Sequence, residues 1–143
     1  MQTFVPYPDI ALTARALDRQ RLGKQRVETI QILNALAPDY PRHGWRAHPA
    51  VRMWRGHEGA LARYGLAMVE EWVRRGYRDE RCGPQLRAFA EQHPDHTLPD
   101  WWGDDRVHRS HRSNLIRKDP SAYAHLFTHT PDNLPYYWPV EAQ

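Results

Sequence analysis

A chain of 143 residues holds one domain with a sizeable core and is short for two. Its 41% hydrophobic and 26% charged residues make a soluble globular composition and exclude a disordered one, and no window is apolar enough to span a membrane. The formal net charge of +3, the pI near 9.2 and the 9 histidines favour polyanionic partners, phosphate backbones among them.

The opening MQTFVPYPDI lacks the basic region and apolar run of a signal peptide, so a cytoplasmic protein is expected. One cysteine, Cys82, excludes an internal disulfide framework and the four-cysteine zinc patterns. Pro6 and Pro8 keep the first eight residues extended. Asp9 is placed to cap a first helix through Ala11, Leu12, Ala14, Ala16 and Leu17. The basic run Asp18 to Glu28, DRQRLGKQRVE, leads into a second helix in which Leu22, Ile30, Leu33 and Leu36 keep helical period. Pro38 and Pro41 end it.

From Pro49 to Tyr77 the apolar residues Val51, Trp54, Leu61, Tyr64, Met68 and Trp72 recur at spacings of three and four, skipping one turn at His57 and Glu58. The pattern predicts one long helix, roughly 40 Å by rise per residue, opened by Pro49 and closed by Gly76. That skipped turn either faces an active cleft or lies in solvent. Pro84 is placed to begin a short helix, His93 to Asp105 reads as a structured loop, and Val107 to Asp119 as a helix or a turn-rich segment. A last short helix is expected from Ser121 to Phe127. No strand alternation or repeat is found. The expected fold class is all-α, with residues 1–143 forming a single compact domain of about three main helices plus short helices and irregular loops.

Three groups of residues carry candidate chemistry. Arg26 falls with Leu22, Ile30 and Leu33 inside an apolar stripe, with Arg19 on the same line. It reads either as a guanidinium reaching out from the core edge or as a phosphate clamp. Glu28 points roughly 160° away from Arg26 on an ideal helix, four residues after Lys24. The second group, His108 to Lys118, holds His108, Arg109, His111, Arg112, Asn114, Arg117 and Lys118, a mixture suited to phosphate and sugar contacts or to a plain structural role. No third ligand accompanies the two histidines, so no metal site is expected. The third group is aromatic: Trp45 with His48, Trp101 and Trp102, and Tyr136, Tyr137 and Trp138. Such rings close over a core or stack on an exposed base. No phosphate loop, dinucleotide fingerprint, nucleophile elbow or CxxC pair occurs, so no cofactor is expected.

The segments LDRQRLGKQRVE and WVRRGY, the arginine and histidine cluster after a tryptophan-bearing loop, and the aromatic C-terminal stretch together resemble the pyrimidine-dimer DNA glycosylase family, which includes the phage endonuclease V enzymes. The resemblance implies a compact helical enzyme that binds the minor groove of double-stranded DNA at a lesion or modified base. It also implies an N-terminal α-amine that attacks the sugar C1′, with a glutamate assisting, and abasic-site cleavage through a Schiff base. With this resemblance the candidate catalytic residues are Met1, Glu28 and Arg26, and together with the groups read above the candidate DNA-binding ones are Arg19, Arg21, Lys24, Trp45, His48, His108, Arg109, His111, Arg112, Asn114, Arg117, Lys118, Tyr136 and Tyr137. The family's glutamate directly follows an arginine. Here Val27 holds that place, and Glu28 comes one residue later. Gln2 is too bulky for removal of Met1, so the terminal amine is expected to be that of Met1. A monomer without membrane contact is expected. The alternatives are a non-catalytic nucleic-acid-binding relative, or an enzyme acting on a small phosphorylated or nucleoside substrate through the histidine cluster.

Overall fold

The computed structural model describes residues 1–39 and 44–140, without the side chains of residues 44 and 45. Among the described residues there are seven α-helices and no strand, so the chain is all-α. Helix α1 (Ile10–Ala16) is capped by Asp9, whose carboxylate accepts the Leu12 N–H at 3.0 Å. Helix α2 (Arg19–Leu36) is capped in the same way by Asp18 and ends before Pro38. Both starts follow from an acidic side chain satisfying an otherwise unpaired first-turn N–H.

The expected long helix is two. Helix α3 (Pro49–Arg52) stops after one turn, and α4 (Glu58–Arg74) begins where the apolar period lapsed. Gly56 at φ +84° turns the chain in between, a conformation open to glycine and costly to residues with a Cβ. The break lets Trp54 bury completely. Its indole packs edge-on against Trp101, centroids 5.1 Å apart. Gly76, at φ +96°, closes α4 as expected.

Helix α5 (Cys82–Gln92) starts just before Pro84, α6 (Asp105–Lys118) makes a full helix of the basic cluster, and α7 (Pro120–Tyr123) is shorter than expected. The loop after α5 is pinned by its tryptophans: Trp101 Nε1 donates to the Met53 carbonyl and Trp102 Nε1 to that of Pro8. Helix α4 packs chiefly against α2 and α5 and also meets α1. Its Leu61, Tyr64 and Met68 are fully buried and centre the core. Among the described residues no helix is long and apolar enough to cross a membrane. Residues Gln2 to Val5 are also buried, although they belong to no regular element. Their backbone groups need partners, and the helices around them supply these.

Candidate functional site

Side chains grip the N-terminal segment from three helices. Gln25, buried on α2, donates Nε2 to the Gln2 carbonyl at 3.0 Å and accepts the Phe4 N–H on Oε1 at 3.1 Å. From α4, the Tyr64 hydroxyl sits 2.6 Å from the Phe4 carbonyl oxygen and 2.8 Å from Gln25 Oε1. Trp54 Nε1 donates to Thr3 Oγ1. From α6, His111 Nδ1 accepts the Val5 N–H at 2.9 Å and His108 Nδ1 donates to the Val5 carbonyl at 2.7 Å. Arg112 then donates to the Pro6 carbonyl. His108 Nε2 also accepts the Gly103 N–H at 3.0 Å, so each ring accepts on one nitrogen and both imidazoles are neutral in these roles. Burial, and then the neighbouring His108, which disfavours a second proton nearby, pull His111 down to about 3. Burial lowers His108 too.

The segment delivers Met1 to an open cleft of about 430 Å³, whose lining includes Met1, Gln2, Phe4, Glu28, Lys118 and Tyr136. Gln20, Arg21, Lys24 and Gln25 of α2 complete it. Glu28 Oε2 accepts the Gln2 N–H at 3.4 Å and Gln25 Nε2 at 3.2 Å. Arg21 is oriented by Asp18 at 3.2 Å, with Asp119 4.0 Å away, and Tyr123 in turn bonds Asp18. Burial raises the Tyr136 phenol to about 12, so it stays neutral and offers a ring face and one hydroxyl. His48 caps α3 through Nδ1 and stands edge-on to Trp138. Burial, and then the positive Met1 terminus, pushes its imidazole below the usual histidine range.

The expected site residues divide. Met1, Glu28, Arg21, Lys24, Lys118 and Tyr136 meet in the cleft. Arg26 does not: its guanidinium pairs with Asp79 and lies 4.2 Å over the Trp72 ring, on the side of α2 away from Glu28. Asp79 also accepts the Gly83 N–H at the start of α5, so Arg26 ties helices together and does not line the cleft. Val27 is exposed, whereas Glu28, one place later, faces the cleft.

His108 and His111, expected on DNA, are 1% and 0% exposed and hold Val5 instead. Arg112 is occupied by Pro6 and Asp105. Asn114 and Arg117 bond each other and the Leu134 carbonyl, fastening the C-terminal stretch. Arg19 is exposed at the start of α2. Arg109 and Tyr137 line a second, shallower hollow beside Arg106. The Trp45 side chain lies outside the described residues. His57 and Glu58 hold the turn before α4, His57 against the Thr97 carbonyl and Glu58 against the Gly56 N–H, and neither lines the cleft.

Sequence reasoning missed Gln25 and Tyr64. The buried line Leu22, Gln25, Thr29, Ile32 and Leu33 has helical spacing, and its two polar members hid it among charged neighbours. Gln2 Nε2 and His111 Nε2 are buried without a hydrogen-bond partner. Among the described residues no cluster of His, Cys, Asp and Glu is arranged to hold a metal ion.

No curated protein and no solved structure matches the chain. The profile of the family described as pyrimidine dimer DNA glycosylase matches residues 1–82, the part that carries Met1, Glu28, Gln25, Tyr64 and the arginine-bearing face of α2. With more than half of its length matched, and with the matched part building most of the cleft, the chain belongs to the pyrimidine dimer DNA glycosylase family.

Proposed function

We propose that this protein removes a damaged or modified pyrimidine from double-stranded DNA through its Met1 amine and then cleaves the resulting abasic site. The observation that carries the reading is that Met1 and Glu28 share one open cleft, with the Gln2 N–H bonded to the Glu28 carboxylate. In this mechanism the amine lone pair attacks C1′ of the deoxyribose, and the electrons of the C1′–N bond leave with the base. Glu28 accepts the amine proton and returns it to the ring oxygen as the sugar opens to an iminium. Loss of a proton from C2′ then expels the 3′ phosphate. Arg21, Lys24 and Lys118 supply positive charge at the cleft for the flanking phosphates, and the neutral Tyr136 ring offers a stacking surface. Arg26 has no part in it.

A small-substrate enzyme working through His108 and His111 loses its support, because both rings are buried and occupied by Val5. A non-catalytic relative differs by experiment. Borohydride should trap a covalent complex with an abasic or dimer-containing duplex. Blocking the terminal amine should abolish trapping, and Glu28→Gln should slow it by about 10²- to 10⁴-fold. Salt-sensitive binding with no trapping on any lesion would establish the non-catalytic relative instead.

A further inference from the structure

Gln25 is 1% exposed, yet three of the four hydrogen bonds of its amide go to Gln2, Phe4 and Glu28, which line the cleft. Its orientation follows from its neighbours. The Phe4 N–H stands 3.1 Å from Oε1, while the Gln2 carbonyl and the Glu28 carboxylate stand 3.0 and 3.2 Å from Nε2. Turning the amide over would set donor against donor at Phe4 and acceptor against acceptor at Gln2 and Glu28. One NH₂ group therefore spans the backbone next to Met1 and the carboxylate next to that backbone. Tyr64, 2.8 Å from Oε1, backs the amide from α4.

We infer that Gln25 is a positioning residue, whose amide sets the Met1 amine and the Glu28 carboxylate at a fixed separation and orientation for attack on the sugar. The inference rests on the amine mechanism proposed above. Its physical basis is steep: an amine that pivots about Gln2 by about 1 Å forfeits on the order of 10²-fold in rate. Other constraints on the segment include the longer Gln2 N–H contact to Glu28, at 3.4 Å, and the clamp on Val5 from α6. Gln25 touches no substrate in this scheme and acts only through its two partners.

Substitution by methionine keeps the length and loses all four polar contacts. Gln25→Glu keeps the shape and the acceptor for Phe4, but it can donate to the Gln2 carbonyl or share a proton with Glu28 only when protonated. The ionisable and charged groups around position 25 are Glu28 on the same helix and Tyr64 from α4, with Met1, Arg21, Lys24, Lys118 of α6 and Tyr136 around the cleft.

The test is the single-turnover trapping rate on saturating abasic duplex from pH 5 to 8.5, for the native protein, Gln25→Met and Gln25→Glu, with DNA affinity measured in parallel. Gln25→Met should trap about 10²-fold more slowly at every pH with affinity unchanged. Gln25→Glu should be equally slow at pH 8 and should regain rate relative to the native protein as pH falls. That recovery is a signature that a merely structural glutamine would not give. Trapping by both variants within about threefold of the native rate at all pH values would overturn the inference while leaving the amine mechanism standing. Should the native protein itself fail to trap, the amine mechanism falls, and exchange of the Gln2 and Phe4 amide protons then judges Gln25 separately. Faster exchange in Gln25→Met upholds its grip on the segment, and unchanged exchange refutes it.

Discussion

Acid should loosen this protein well above the range in which ordinary carboxylates titrate. His111 is fully buried, spends Nδ1 on the Val5 N–H, and is drawn down from 6.5 to about 3. Because its pKa is lower in the folded chain, its contribution is fully present above about pH 6.5 and is lost as pH falls from there toward 3. Within that window the unfolded chain binds one proton that the folded chain refuses, which costs about 1.4 kcal/mol per pH unit and roughly 2 kcal/mol by pH 5. Against a typical total of about 5–15 kcal/mol the loss is easily measured. His108, lowered by the same burial, acts in the same direction. Urea unfolding between pH 7.5 and 4.5, followed by tryptophan fluorescence, gives the slope for the native protein and for His111→Gln. The variant should start less stable at pH 7.5 and be flatter with pH by about one proton, or about 1.4 kcal/mol per unit. Equal slopes in the two proteins would show that His111 is not the titrating group and would undo this account of the α6 clamp.

Two further substitutions test the packing that surrounds the site. Arg75 donates to the carbonyls of Ala14, Arg15 and Leu17 at the end of α1 and is steered there by Glu71. Arg75→Ala should therefore cost about 1–3 kcal/mol in urea unfolding while leaving the trapping rate within about twofold, and a loss below about 0.5 kcal/mol would contradict the capping role. At Gly59 a Cβ would stand 2.1 Å from the Asp95 carbonyl oxygen and 2.4 Å from that of His93, both backbone atoms. Gly59→Ala should destabilise by about 3 kcal/mol or more, and a variant that melts like the native protein would show that the 93–97 segment moves aside freely.

The sequence carried the helices whose signals are local. Asp9 before an apolar run, Pro49 at a helix start and Gly76 at a helix end are read within one turn of chain, and all three do in the structure what their neighbours imply. Even the lapse in period at His57 and Glu58 marked a real place, although the periodicity was read as one helix where Gly56 makes two. The helical arithmetic that set Arg26 and Glu28 on opposite sides of α2 also matches the fold, which sends one to Asp79 and the other to the cleft.

What only the tertiary structure decided is which polar residues are used up internally. In sequence, HRSHRSNLIRK looks like a surface for phosphates. In the fold His108, His111 and Arg112 are committed to Val5 and Pro6, and Asn114 and Arg117 to Leu134. No local pattern reports this, because the partners are backbone groups 17 to 106 positions away, and a backbone N–H or C=O has no letter of its own. Gln25 was passed over for the complementary reason: a buried amide among charged neighbours reads as one more solvated side chain. Only when α2, α4 and α6 close around the first five residues does it bridge the Gln2 carbonyl and the Glu28 carboxylate. The sequence by itself determined the all-α class, through local helix signals, and the family of this chain, whereas the packing of the N-terminal segment decided which residues are left lining the cleft.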